Sequence, residues 1–212
     1  GRFDTACIAI FAAAVLDSLD GRVARMTNTQ SAFGEQMDSL CDMVSFGLAP
    51  ALIMLEWGLK GLGKPGWMAA FVFCAAAALR LARFNTQVGV VDKRWFIGLN
   101  SPSSAGMMMS FVWAMNEFGW TGQELRYIAL ALTVACGLLM VSRFRYASFK
   151  GSGQPKERED RIPFGMALVV VAVLVALFID PPRVLLLMAG TYAASGPLYW
   201  LWLKLKPKSA SA

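Results

Sequence analysis

The chain has 212 residues, is 57% hydrophobic and has a mean hydropathy of +0.51. That is too apolar for an ordinary soluble domain, and it predicts one polytopic membrane domain over residues 1–212. The formal charge is +6, from 20 Lys and Arg against 14 Asp and Glu. In this class a basic excess belongs first to cytoplasmic loops and anionic headgroups, and nucleic acid is not an expected partner. There is no histidine, which excludes Ser-His-Asp and Cys-His nucleophilic catalysis and any His-ligated metal, so acid–base work falls to carboxylates.

A bilayer core takes about 20 mainly apolar residues per helix. On that basis the sequence predicts an all-α bundle of seven spans, over residues 5–21, 31–57, 66–85, 103–120, 127–147, 163–180 and 182–203. Pro181 and Pro182 make the break between the last two. The opening Gly1-Arg2-Phe3-Asp4 leads straight into the first span without a signal-peptide pattern. Cys7, Cys41, Cys74 and Cys136 form no CxxC pair and read as small core residues. Met107 to Met109 and the tryptophans read as lipid-facing or interfacial side chains. Residues 150–161, with Gly151, Ser152, Gly153 and Pro155, read as the most flexible connection.

Charge sets the orientation. Of the 20 Lys and Arg, only Arg2, Lys60, Lys64, Arg126 and Arg183 fall outside the segments that follow spans one, three, five and seven. The positive-inside rule makes those segments cytoplasmic, in the inner membrane if the cell is bacterial. Arg143 and Arg145 fit a cytoplasmic anchor or a lipid-phosphate contact.

One polar stretch stands out: Asp17, Asp20, Gly21 and Arg25, then Gly34, Asp38 and Asp42. Ionisable groups at membrane depth are costly unless paired, metal-bound or facing water. On a helix, Ala13, Asp17, Asp20, Gly21 and Ala24 share one face, and Gly34, Asp38, Asp42, Ser45 and Ala49 line up on a second. Two small-and-acidic faces pressed together form a site of four carboxylates, with glycines where a ligand can approach. Oxygen ligands without histidine or cysteine suit a hard cation, Mg²⁺ above all, or Mn²⁺ or Ca²⁺, and two divalent ions balance four negative charges. Such ion pairs serve phosphoryl and nucleotidyl transfer. Arg80 and Arg83 flank Leu81-Ala82 and are followed by Asn85, which fits a carboxylate or phosphate cradle as well as a snorkelling helix end.

The run D-x2-D-G-x2-A-R-x8-G-x3-D-x3-D, filled by Asp17, Asp20, Gly21, Ala24, Arg25, Gly34, Asp38 and Asp42, resembles the signature of the CDP-alcohol phosphatidyltransferases. The segments 78–85 and 96–106 resemble the phosphatidylserine synthase branch of that family, although Asn100 stands where the branch often has Pro. The resemblance implies that Asp17, Asp20 and Asp38 hold the metals and the CDP diphosphate, that Asp42 is both metal ligand and base for the acceptor hydroxyl, and that Gly21, Arg25 and Gly34 contact CDP-diacylglycerol. Arg80, Arg83 and Asn85 would form the L-serine pocket, whereas Ser101, Ser103 and Ser104 around Pro102 read as an ordinary helix start. It further implies a homodimer in the lipid bilayer and another hydrophobic helix upstream. Two alternatives stay open: the same donor with glycerol 3-phosphate or inositol phosphate as acceptor, and a transporter with intramembrane carboxylates.

Overall fold

The structure is a computed structural model that describes residues 1–29, 31–87, 95–147 and 164–205. The connection at 150–161 and the side chains of Arg25 and Arg145 lie outside what is described. Helix α1 covers Phe3–Met26, and Ala32 to Leu62 form one continuous rod. That rod consists of α2 (Ala32–Asp42), a π-helical turn (Met43–Leu48), α3 (Ala49–Met54), a second π turn (Leu55–Leu59) and a 3₁₀ turn (Lys60–Leu62). Helices α4 (Lys64–Gln87), α5 (Ser101–Glu117), α6 (Arg126–Val141), α7 (Phe164–Ile179) and α8 (Pro181–Leu205) follow.

The described residues thus form seven helical rods, each overlapping one expected span. Ala32–Leu62, Lys64–Thr86 and Pro181–Trp202 are long and apolar enough to cross a membrane, and Arg126–Val141 and Ala167–Ile179 are shorter apolar helices.

Lipid tails are as apolar as leucine, so membrane helices associate through close packing of small residues. The contact between α4 and α6 is built this way. Ala69, Ala70, Phe73, Ala76 and Ala77 form the buried stripe of α4, and Ala129, Thr133 and Gly137 repeat every fourth residue along the buried face of α6. A Cβ on Gly137 would stand 3.3 Å from the Phe73 Cα, so the two backbones nearly touch there. Helix α5 is enclosed by α1, α6, α8 and the first π turn. That position corrects the reading of its methionines: Met108 and Met109 are fully buried core residues. The tryptophans whose side chains are described divide, with Trp57 buried, Trp113 half-buried and Trp67, Trp120, Trp200 and Trp202 exposed. The cysteines also divide, Cys7 and Cys136 being buried and Cys41 exposed.

One expected span is shorter than its hydropathy. The sequence predicts helix to residue 147, but α6 stops at Val141 and Arg145–Ala147 forms a strand, β2, antiparallel to β1 (Trp95–Ile97), with Phe96 opposite Tyr146. The extended Ser142 (ψ 164°) ends the helix, and the freed backbone bonds elsewhere. The Gly98 N–H donates to the Phe144 carbonyl at 2.8 Å, and the Leu99 N–H to the Leu139 carbonyl at 3.0 Å. The ribbon therefore ties the start of α5 to the end of α6. It also buries Tyr146 against α8, where the tyrosine hydroxyl donates to the Ala193 carbonyl at 3.1 Å and the ring occupies the space left by Gly196.

Gly98 makes this junction possible. Its φ is +81°, and a Cβ there would run into the Met140 carbonyl. Gly98→Ala is expected to cost about 1–3 kcal/mol through left-handed backbone strain and the carbonyl clash. It should appear as a fall of several degrees in the thermal midpoint in detergent; an unchanged midpoint would show that the junction carries no strain.

Candidate active site

Contacts bring the C-terminal parts of α1, α4 and α6 to the N-terminal parts of α2 and α5: Asp17 adjoins Asp42, Asn85 reaches Ser39, Arg80 reaches Ser101, and Leu99 bonds to Leu139. Helix α1 presents Asp17 and Asp20 one turn apart. Asn28 in the left-handed region (φ 53°) helps reverse the chain, and Ser31 starts α2 as its N-cap, accepting from the Gly34 N–H at 3.0 Å. Helix α2 then presents Asp38 and Asp42 one turn apart.

Carboxylate oxygens of Asp17, Asp20 and Asp38 lie within 4.8 Å of one another. Asp42 stands beside Asp17. The structure thus brings Asp17 and Asp20 of α1 together with Asp38 of α2, and Asp42 adjoins that cluster through Asp17. Asp42 Oδ1 is enclosed and has no hydrogen-bond partner. Ligands on opposite sides of a hard cation stand about 4–5 Å apart. The oxygen spread and the oxygen-only donor set of Asp17, Asp20 and Asp38 fit a divalent cation.

Past Asp42 the helix departs from the simple repeat. A regular helix keeps Ser45 and Ala49 on the aspartate face, but the π turn Met43–Leu48 begins immediately after Asp42. Its wider i→i+5 bonding shifts the register, so the 3.6-residue face ends at Asp42, and Phe46 and Gly47 are turned into the core. Such π turns are frequent beside functional sites.

The two glycines of the motif differ. A Cβ on Gly21 would meet nothing within 4 Å among the described residues. A Cβ on Gly34 would stand 3.2 Å from the Ser31 Oγ, so Gly34 makes room for the capping hydroxyl. That is a local structural duty the spacing did not suggest.

Helix α4 closes the other side. Arg80 is largely enclosed, lies within electrostatic reach of Asp42, and donates from Nη1 to the Ser101 Oγ at 2.8 Å. Its Nε is enclosed without a hydrogen-bond partner. Arg83 is half-buried one turn on. Asn85 donates from Nδ2 to the Ser39 Oγ at 3.1 Å, which ties the end of α4 to the helix carrying Asp38 and Asp42. Ser39 in turn donates to the Glu35 carbonyl at 3.2 Å.

The helix start at Ser101 is ordinary in form. Asn100 is its N-cap, accepting from the Ser103 N–H at 2.9 Å, and Pro102 occupies the first turn. The departure at Asn100 is therefore a working cap. Ser101 does more than start the helix, because its hydroxyl holds Arg80. Ser39, bonded to Asn85, and Ser101, bonded to Arg80, are absent from the sequence-based site. Only the serine preceding Pro102 left a local signal there, and that signal reads equally as a helix start.

Residues 1–198 match the family model described as CDP-alcohol phosphatidyltransferase. The chain is 34% identical over 207 residues to a Helicobacter pylori protein named CDP-diacylglycerol–serine O-phosphatidyltransferase, covering 97% of this chain and 83% of that one. Proteins of the same name match from Methanocaldococcus jannaschii, at 37% over 140 residues, covering 66% of this chain and 62% of that one, and from Saccharomyces cerevisiae, at 37% over 108 residues, covering 48% and 38%.

The open surface at Gly21 has a direct consequence for stability. Alanine is the better helix former by up to about 1 kcal/mol in a helix interior, so Gly21→Ala should leave the thermal midpoint unchanged or raise it. A fall of several degrees would mean that Gly21 is a packing position after all.

Proposed function

The chain belongs to the CDP-alcohol phosphatidyltransferase family, and from that premise we propose that it transfers the phosphatidyl group of CDP-diacylglycerol to L-serine, giving phosphatidylserine and CMP. The observation that carries this reading is the convergence of Asp17, Asp20, Asp38 and Asp42 at one end of an apolar bundle, with Arg80 set against Asp42. The names of the bacterial, archaeal and yeast relatives support serine as the acceptor.

The four aspartates would hold Mg²⁺ or Mn²⁺, two ions by charge balance. When bound, divalent ions supply positive charge to the donor diphosphate and the departing CMP. The rest falls to the chain's own side chains. The half-buried Asp42 takes the proton of the serine hydroxyl as the oxygen attacks the lipid-side phosphorus and the bond from that phosphorus to the CMP oxygen breaks. Arg80 pairs with the serine carboxylate, and Arg83 and Asn85 complete the acceptor pocket. Gly21 leaves a surface without side chain for the donor, and Arg25 and Gly34 contact its diphosphate. A transporter has no use for a base and a cationic acceptor cradle beside an acidic cluster, and CMP release by the purified protein separates the two readings.

By the positive-inside bias the site faces the cytoplasm, where serine and CMP are soluble. By family resemblance the protein is a homodimer. A single-chain mass across the working concentration range in detergent would remove that second point.

The decisive assay offers the purified protein CDP-diacylglycerol with a panel of alcohols and follows CMP. L-Serine should be the preferred acceptor; turnover tenfold faster with glycerol 3-phosphate or inositol phosphate would move the acceptor assignment and leave the donor intact. Chelator should abolish activity and Mn²⁺ or Mg²⁺ restore it, because converging carboxylates in a low-dielectric site repel one another without a cation. Full activity in excess chelator, with metal content confirmed as nil, would refute the metal reading.

Asp17→Asn and Asp42→Asn should fail differently. Loss of Asp17 should weaken retention of CDP-diacylglycerol as well as turnover. Loss of Asp42 should spare most donor binding while turnover falls by roughly 10² or more, the scale of lost general-base catalysis. Metal-dependent thermal stabilisation by the donor, beside CMP release, measures both. Equal loss of donor binding in the two variants would make Asp42 chiefly a metal ligand.

A further inference from the structure

Building on the reading that Arg80 takes the acceptor's carboxylate, we infer that Ser101 is a positioning residue that fixes which edge of the Arg80 guanidinium faces the reacting centre, and so tunes the site to a small hydroxy acid. Ser101 is fully enclosed, and its hydroxyl accepts from Nη1 of Arg80 at 2.8 Å. A guanidinium is a planar fork of five N–H donors. With Nη1 committed to Ser101, the fork cannot turn about its axis without breaking that bond, and the edge that carries Nε keeps one orientation.

That edge is unsatisfied. Nε of Arg80 and Oδ1 of Asp42 are both enclosed without a hydrogen-bond partner, and the two charges act on each other. A buried donor and a buried acceptor left open are costly. One ligand relieves both if it carries a carboxylate for the arginine edge and a hydroxyl donor for Asp42 a few bonds away, and L-serine has that arrangement. The fork accepts a planar carboxylate in two parallel bonds. A phosphate monoester carries more charge and a tetrahedral face, which a single constrained edge satisfies less well.

The placement of Ser101 is itself fixed from several sides. The left-handed turn at Gly98 is wedged against the Met140 carbonyl, Leu99 is fully buried and bonded to the Leu139 carbonyl, and Asn100 caps the helix. The ring of Tyr192 on α8 lies 5.5 Å from that of the buried Tyr146 of the β-ribbon, so the ribbon is itself held from the α8 side.

The test measures kcat and separate KM values for serine and CDP-diacylglycerol on the whole protein in detergent, with Ser101→Ala, Ser101→Cys, Ser101→Thr and Arg80→Lys. Cysteine fills the space of serine but accepts hydrogen bonds weakly, whereas threonine keeps the hydroxyl. Losing one hydrogen bond to a charged group should raise the serine KM about 10-fold in the alanine and cysteine variants, with the donor KM unchanged. Glycerol 3-phosphate should gain ground relative to serine, and threonine should restore most of the serine KM. A wild-type serine KM in Ser101→Cys, or a parallel rise of both KM values, overturns the positioning role even if the threonine variant fails to fold. An unchanged serine KM in Arg80→Lys overturns the acceptor-pocket reading beneath it; a raised one, with the Ser101 variants unaffected, overturns the Ser101 role alone.

Discussion

Carboxylates drawn from two helices, those of Asp17, Asp20 and Asp38, stand within 4.8 Å of one another at the edge of an apolar bundle with Asp42 beside them, and their mutual repulsion is the constraint around which this end of the molecule is built. Nothing in the helices carrying them favours the approach. Helix α2 has no buried residue, so packing of α2 itself contributes little to holding Asp38 near Asp17. The restraint comes from the tight reversal through Asn28 and the Ser31 cap on one side. On the other come the Asn85–Ser39 bond and the positive charge of Arg80. Like charges carried on exposed helical turns have a geometry that depends on a counter-charge, which is the physical sense in which the acidic cluster calls for cations.

The core that stabilises the bundle lies elsewhere. The small-residue seam between α4 and α6 and the enclosed face of α5 supply the close packing that association in lipid requires. Arg80, Asn100 and Ser101 sit at the ends of those well-packed helices, so the proposed acceptor side is mounted on rigid parts while the aspartate side is mounted on exposed ones. This asymmetry suits a reaction in which a bulky lipid donor enters from the membrane and a small acceptor must be gripped in one orientation.

Much of this was legible in the sequence, and the reason is local. Hydropathy over about 20 residues marks a rod wherever it falls, and the i, i+3 and i, i+4 spacing of Asp17 with Asp20 and Asp38 with Asp42 fixes each pair on a face without any tertiary information. What failed to show needed longer range. The π turn after Asp42 is a change in hydrogen-bond register, which side-chain periodicity does not record until it has already shifted. The strand at Arg145–Ala147 is three residues long and exists only because β1 is opposite it. The sequence reads Met108 and Met109 as lipid-facing or interfacial because methionine suits either environment, and only the position of α5 among its neighbours decides between them.

The start of α5 shows most clearly how a bland reading and a functional one can both hold. Asn100, Pro102 and Ser103 form a helix start by every local criterion, and the structure makes them one. The same start delivers Ser101 to Arg80 because the helix begins at a fixed point, set by the Gly98 turn and the ribbon rather than by the cap. A cap specifies where a helix begins along the chain; it does not specify what the first residue will face. That second quantity is set by the partner backbone against which the turn is wedged, here the end of α6. A substitution that moves this backbone, in the ribbon or at Gly98, is therefore expected to shift Ser101 against Arg80, the same contact that a change at Ser101 removes.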